Sequence, residues 1–146
     1  MMPRRRFHRA AFLAAGTYNI AWGTLSALHP QWYFLTAGLA PINHPEIFAC
    51  LGMVLGLYGV LYLEVARAPE KGWLLAAVGF VGKVLGPIGA AVLIARGTWP
   101  ARFFWHCVAN DLVWWIPFAL YLRDGWPEFR AGIARPAPSG ERRDER

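Results

Sequence analysis

Four amide or charged side chains lie near the middle of stretches of sequence that are mainly apolar: Asn19, Lys83, Asn110 and Asp111. If those stretches are membrane helices, a rise of 1.5 Å per residue places all four roughly 15–18 Å deep, near the bilayer centre. An ionised side chain at that depth costs roughly 2.5–3.5 kcal/mol unless it finds a partner. Lys83 and Asp111 are the only formally charged side chains in the middle of these stretches, and we predict that they pair.

A Lys–Asp pair with two neighbouring amides predicts a ligand site. Lys83 would hold a carbonyl or anionic group, and Asp111 would set the charge of Lys83 or exchange a proton. The amides of Asn19 and Asn110 would orient the ligand. The alternatives are a salt bridge that only holds helices together and a contact between two copies of the chain.

Aromatic residues near the same depth are candidates for the wall of a pocket, or else for lipid-facing surface and core. These residues are Tyr18, Trp22, Tyr58, Tyr62, Trp114 and Trp115. His106 lies one helical turn before Asn110, where it could relay a proton toward Asp111 or meet solvent. We predict a ligand-binding role for His106, Trp22, Tyr58, Trp114 and Trp115.

Metal and nucleotide chemistry have no motif in this sequence. No second histidine stands at ligand spacing from His106, and the two cysteines do not form a C-x-x-C pattern. A phosphate loop and a dinucleotide fingerprint are also absent. Cys50 and Cys107 fall at similar depth and could form a disulfide, but we expect two small core residues. No metal is predicted, and the residues specify no cofactor.

The apolar stretches span about 9–28, 47–66, 73–95 and 103–122, each close to the roughly 20 residues that a membrane-crossing helix needs. Proline and glycine separate them at 28–30, 68–72 and 97–100. The segment 30–45 is longer, and its Trp-Tyr-Phe cluster at 32–34 predicts a short helix at the membrane surface. We therefore predict an all-α, integral membrane four-helix bundle.

Basic residues indicate the orientation of that bundle. They precede the first stretch, occupy the turn after the second, and follow the fourth, whereas the opposite side carries only Arg96 and Arg102. By the positive-inside rule both termini are cytoplasmic, as an even number of spans requires. The richness in arginine and alanine suggests the inner membrane of a bacterium.

Composition supports membrane insertion: 56% of the 146 residues are hydrophobic and 16% are charged, against roughly 25% charged in a soluble domain. This composition disfavours a nucleic-acid partner despite the net charge of +6. We assign residues 1–124 to one membrane domain. Residues 125–146 are rich in proline, glycine and charge and are predicted to be a disordered cytoplasmic tail.

The segments AGTYNIAWG at 15–23 and LGMVLGLYG at 51–59, with the aromatic loop between them, resemble the small DoxX-like four-helix bacterial membrane proteins. This resemblance implies a four-helix membrane fold, and some members of that group look like subunits of quinone-linked redox enzymes. It carries over no catalytic residue.

Three functions remain open at this stage. The first is a mid-bilayer site that binds a small amphiphilic molecule, such as a quinone or a lipid, in a redox accessory protein. The second is a small proton-coupled transporter that acts as a homodimer, with Asp111 titrating during transport. The third is a structural subunit of a membrane complex. The residues alone do not specify an enzyme.

Overall fold

The computed structural model of the protein describes residues 2–133, and all the regular elements among them are helical. The helices are α1 (Arg5–Leu28), α2 (Trp32–Ala37), α3 (Pro45–Arg67), α4 (Trp73–Ala95), α5 (Phe104–Cys107) and α6 (Val113–Ile133). A 3-10 turn, Ala101–Phe103, leads into α5, and a π-helical turn, Val108–Leu112, joins α5 to α6. The all-α prediction is therefore confirmed.

The connections follow local sequence chemistry. Pro45 occupies the first turn of α3, where its missing N–H is not needed. Gly38 ends α2 with φ of 74°, a left-handed conformation that glycine adopts without strain. The Arg102 guanidinium packs against the bare Cα of Gly38, and its Nε donates to the Ala37 carbonyl oxygen at 3.1 Å. Short helix α2, predicted within 30–45, is thereby attached to the 3-10 turn.

Helices α1 and α3 pack closely because glycines meet on both sides of their contact. A Cβ added to Gly59 would lie 2.7 Å from the Gly16 carbonyl oxygen, and one added to Gly23 would meet the backbone of Gly52 and Gly56. Such spacing lets two backbones approach as side chains would not. The contact aligns the start of α1 with the end of α3.

The largest buried cluster lies at that same end of the molecule. Phe12 is fully buried, with its ring centroid 4.5 Å from that of Phe118 and 4.7 Å from that of Tyr121. The Tyr121 hydroxyl donates to the Pro69 carbonyl oxygen at 2.6 Å. This cluster joins α1 and α6 to the turn between α3 and α4.

A smaller buried cluster contains Ala37, Ala90, Phe103 and Cys107 at the opposite end. Side chains from α2, α4 and α5 meet there. The two clusters flank the middle of the bundle, where the polar residues identified from the sequence lie.

Two helices of the described region, Pro45–Arg67 and Trp73–Ala95, are long and apolar enough to cross a membrane. Their outer faces are apolar and exposed, as Leu57 at 64% and Leu85 at 60% show. A soluble domain rarely leaves so continuous an apolar surface uncovered.

One boundary prediction is wrong. Residues 125–133, part of the predicted disordered tail, belong to α6. Gly125 is buried, and Trp73 stacks on Phe129 with ring centroids 4.2 Å apart, so packing against α4 extends the helix. Proline and charge at 127–130 do not prevent this because Pro127 interrupts only one helical hydrogen bond. Positions 134–146 lie outside the described residues.

Candidate functional site

Lys83 of α4 and Asp111 of the π-helical turn lie close together, as their opposite charges predicted. The Lys83 Nζ lies 3.7 Å from Asp111 Oδ1, and the two residues are 5% and 9% exposed. Nζ donates a shorter hydrogen bond, 2.7 Å, to the Asn110 carbonyl oxygen. An ammonium group has three N–H donors. At 3.7 Å the carboxylate is an ion-pair partner rather than a close acceptor, so Nζ keeps donor capacity for a ligand.

The π-helical turn explains why a main-chain carbonyl is available to Lys83. A π-helical turn replaces the i→i−4 bonds of an α-helix and shifts the carbonyls and side chains that follow. Here it presents the Asn110 carbonyl oxygen and the Asp111 carboxylate to α4 together. The Asn110 Nδ2 donates to Asp111 Oδ1 at 2.9 Å, which orients that carboxylate.

Pro87 and Trp115 support the backbone around Lys83. Proline has no N–H, so Pro87 leaves the carbonyl of Lys83, four residues earlier, without its helical donor. The Trp115 Nε1 donates to that Lys83 carbonyl oxygen at 3.0 Å. Trp115 therefore satisfies a backbone group and joins α6 to α4 at the level of the ion pair.

Asn19, in α1, is the fourth polar residue of this region. It is 6% exposed, and its Nδ2 donates to the Leu55 carbonyl oxygen of α3 at 3.5 Å, a long bond that holds the amide loosely. Three of the chain's helical segments thus bring polar groups to one region.

A cavity of about 580 Å³ occupies that region, a volume typical of small-molecule sites. Asn19, Lys83, Asn110 and Asp111 form its polar wall. The rest of the lining is mainly apolar and aromatic, including Trp22, Tyr33, Tyr58, Trp99 and Phe103. The cavity therefore offers a polar patch within an apolar enclosure.

Glycines on α4 contribute to the volume of the cavity because they carry no side chains. Gly82, Gly86 and Gly89 all line it, and a Cβ added to Gly82 or Gly89 would have no atom within 4 Å. A Cβ on Gly86 would lie 3.2 Å from Asp111 Oδ2, so that oxygen faces the bare Cα. Larger residues at these positions would fill the space.

The cavity opens to the side, between α3 and α4. Leu51 and Val54 of α3 line it and are also 46% and 48% exposed. Val78 and Leu85 of α4 do the same at 49% and 60%. The helices touch nearer their shared turn, where Tyr62 packs on Gly79. An apolar molecule outside the bundle could enter through this opening.

Not all the predicted site residues line the cavity. Trp22 and Tyr58 do, whereas His106, Trp114 and Trp115 are outside its lining. The His106 Nε2 is hydrogen-bonded to Thr36 Oγ1 at 3.1 Å, and Trp114 packs near Tyr18 with ring centroids 5.8 Å apart. Because the π-helical turn changes the helical phase, residues three and four positions after Asp111 do not follow its face.

Sequence reasoning also missed several lining residues. Tyr33, Trp99 and Phe103 belong to the connections at 30–45 and 96–103, and they reach the cavity only because those connections fold back over it. The glycine spacing at 79, 82, 86 and 89 was a usable signal, since it leaves one face of α4 bare.

A second polar group, which we name the terminal cluster, comprises Arg4, His8 and Asp124. Arg4 donates to both carboxylate oxygens of Asp124, at 2.9 and 2.6 Å, and His8 Nε2 lies 2.8 Å from Oδ2. These hydrogen bonds, chiefly that from Arg4, lower the pKa of Asp124 below its ordinary value. The sequence prediction missed this cluster because its members are up to 120 residues apart.

Within residues 2–133, no group of three His, Cys, Asp or Glu side chains could hold a metal ion. Cys50 is exposed and Cys107 buried, and both are free, so the disulfide alternative is not formed.

No protein-family model matches the sequence, and neither a curated protein nor a solved structure matches it significantly.

Proposed function

We propose that the chain is a multi-pass membrane protein in which four helical segments cross the bilayer, at about 9–28, 47–66, 73–95 and 103–122. In the most apolar part of α3 and of α4 only 17% of the residues are buried, unlike the core helices of a soluble protein. Neither helix lies at the N-terminus, as a signal sequence would. Residues 10–28 carry no charged side chain, and 103–122 carry only Asp111.

Charge supports an orientation with both termini cytoplasmic, in the inner membrane of a bacterium. To test it, Asn43→Cys and Lys71→Cys are introduced separately into a cysteine-free chain and treated with a membrane-impermeant maleimide. We expect Asn43→Cys to react in intact spheroplasts and Lys71→Cys only after lysis. The reverse pattern would contradict the orientation, and reaction of both in intact cells would contradict the crossing by α3.

For the cavity we propose a role in binding a small amphiphilic molecule with a carbonyl-bearing head, such as a quinone or a lipid. The carrying observation is that a buried ammonium with spare donors lies on the wall of a mainly apolar cavity that opens between two helices with exposed apolar faces. Lys83 would donate to the carbonyl, and the aromatic lining would hold the apolar body. The DoxX-like resemblance is compatible with this proposal and adds no residue to it.

The binding test uses purified protein in detergent and quenching of the tryptophans that line the cavity, Trp22 and Trp99. The probes are ubiquinone-1 and mono-oleoylglycerol. We expect saturable quenching by at least one of them, weakened about tenfold or more in Gly82→Leu, whose side chain would occupy the cavity. Ala91→Leu is the matched control, because Ala91 is exposed on the same helix and outside the cavity lining.

A second variant distinguishes a ligand-binding role of the Lys83–Asp111 pair from a purely structural one. Lys83→Met/Asp111→Leu removes both charges, leaves neither stranded, and should fold. We expect it to lose quenching, whereas Lys71→Met in the turn keeps it. Saturable quenching that survives both Gly82→Leu and the double substitution, or absence of quenching in the unmodified protein, would overturn the proposed site.

A further inference from the structure

A second concave surface lies on the outside of the bundle, where the start of α1 meets the end of α3. Its volume is about 470 Å³. We name it the arginine groove, and it is lined by Arg6, Arg9, Ala10 and Leu13 of α1 and by Leu63, Ala66 and Arg67 of α3. The positions 6, 9, 10 and 13 share one face of α1 by helical spacing.

The charges around the arginine groove leave it positive. Arg67 donates to Glu64 through Nε and Nη2, at 2.6 Å each, and keeps its other guanidinium nitrogen for a further acceptor. Two other acids at this end are already engaged, since Arg5 binds Glu70 at 2.6 Å and Arg4 binds Asp124. These acids therefore direct their hydrogen bonds to Arg67, Arg5 and Arg4, and Glu70 attracts Arg9 through charge alone.

The floor of the arginine groove is apolar and leads toward the middle of the bundle. Leu13 lies one turn beyond Arg9 and is 56% exposed. On α3, Leu63 lies one turn before Arg67, and Val60, one turn further toward the middle, is 53% exposed. The charged end and the apolar strip thus follow one another along the helix axis, as headgroup and acyl chain do in a phospholipid.

We propose that the arginine groove binds one anionic phospholipid, with its phosphate at Arg6 and Arg9, assisted by Arg67, and an acyl chain along Leu13 and Leu63. A planar guanidinium holds a phosphate through two parallel N–H donors. The inference rests on the membrane part of the proposed function and is independent of what the cavity binds.

The test is native mass spectrometry of the purified chain in a nonionic detergent. Phosphatidylglycerol is titrated against phosphatidylcholine of the same acyl composition, with inorganic phosphate as a third arm. We expect one phosphatidylglycerol to bind more tightly than phosphatidylcholine, and Arg6→Gln/Arg9→Gln to weaken its binding about 25-fold, at about fivefold per arginine. The control is Arg123→Gln/Arg130→Gln, which removes the same charge from α6 and should change binding less than twofold.

Three results would overturn the inference. Equal weakening by the control pair would indicate diffuse electrostatic attraction. Equal binding of the two lipids would remove the role of headgroup charge, and competition by millimolar inorganic phosphate would indicate a free-anion site. A chain that keeps both cysteine-labelling results yet shows any of these would lose the lipid site but not its membrane topology.

Discussion

The terminal cluster and the Lys83–Asp111 pair both join a carboxylate to a basic side chain, yet they differ in how many close hydrogen bonds the carboxylate accepts. Both oxygens of Asp124 accept bonds of 2.6–2.9 Å from Arg4 and His8. Asp111 receives one close bond, from Asn110, and its ammonium partner stands 3.7 Å away. The terminal cluster therefore holds the start of α1 against α6. The Lys83–Asp111 pair, by contrast, retains hydrogen-bonding capacity for a ligand.

The two carboxylates also differ in what surrounds them, since one lies beside packed side chains and the other beside a cavity. Asp124 lies beside the aromatic cluster around Phe12, in which the ring centroids of His8 and Tyr121 are 5.4 Å apart. Asp111 borders an open volume next to Gly86. A polar group beside packed side chains holds the fold, and one beside a cavity is placed where a ligand can complete its hydrogen bonds.

The largest expected effect follows from stranding one charge of the cavity pair. Lys83→Met should lower the free energy of unfolding by about 3–5 kcal/mol, because Asp111 stays buried without its cation. The measurement is equilibrium unfolding in mixed micelles of dodecyl sulfate. Lys83→Met/Asp111→Leu should recover most of the loss. A double variant as unstable as the single one would show that the packing of the lysine stem, not charge, is what matters.

Removing the charge of the terminal cluster should cost less. Asp124→Asn removes the charge from the hydrogen bonds to Arg4 and His8 but leaves an amide oxygen that can still accept from Arg4, so we expect a loss of about 1–2 kcal/mol in the same assay. Glu46→Gln, which changes an exposed acid in the first turn of α3, is the control. An Asp124→Asn variant as stable as this control would contradict the stabilising role of the terminal cluster.

The Trp115 bond to the Lys83 carbonyl should contribute about 1 kcal/mol, since Trp115→Phe leaves that buried carbonyl without its donor. Pro87→Ala restores a backbone N–H four residues after Lys83. In that background Trp115→Phe should therefore cost measurably less. A double-mutant cycle reports this coupling, and additive effects would contradict the assignment.

The smallest effect is a pH dependence of the terminal cluster. Because the pKa of Asp124 is lowered in the folded protein, its stabilisation is present above the ordinary aspartate value of about 4 and is lost as the pH falls through the lowered pKa. Unfolding free energies between pH 5 and 3 should fall less steeply for Asp124→Asn than for the unmodified chain. Parallel slopes would contradict the contribution of Asp124.

Much of the helical layout could be predicted locally. The breaks at 28–30, 68–72 and 97–100 coincide with the ends of α1, α3 and α4, because proline and glycine act within a few residues of themselves. The end of α6 could not be predicted, since residues 125–133 are held by α4 and not by their own propensity. The placement of Trp115 also escaped prediction, although Pro87, four residues after Lys83, signalled a carbonyl in need of a donor.

Sequence by itself determined that most of residues 2–133 are helical, that α3 and α4 are strongly apolar, and that Lys83 and Asp111 need each other, because burying one lone charge is costly wherever it occurs. The tertiary structure decided the rest. It brings together residues that are 27 to 120 positions apart in the cavity, in the contact of Lys83 with the Asn110 carbonyl, and in the terminal cluster. Such contacts depend on how close the helices pack and on how a π-helical turn rotates them, which no local pattern encodes.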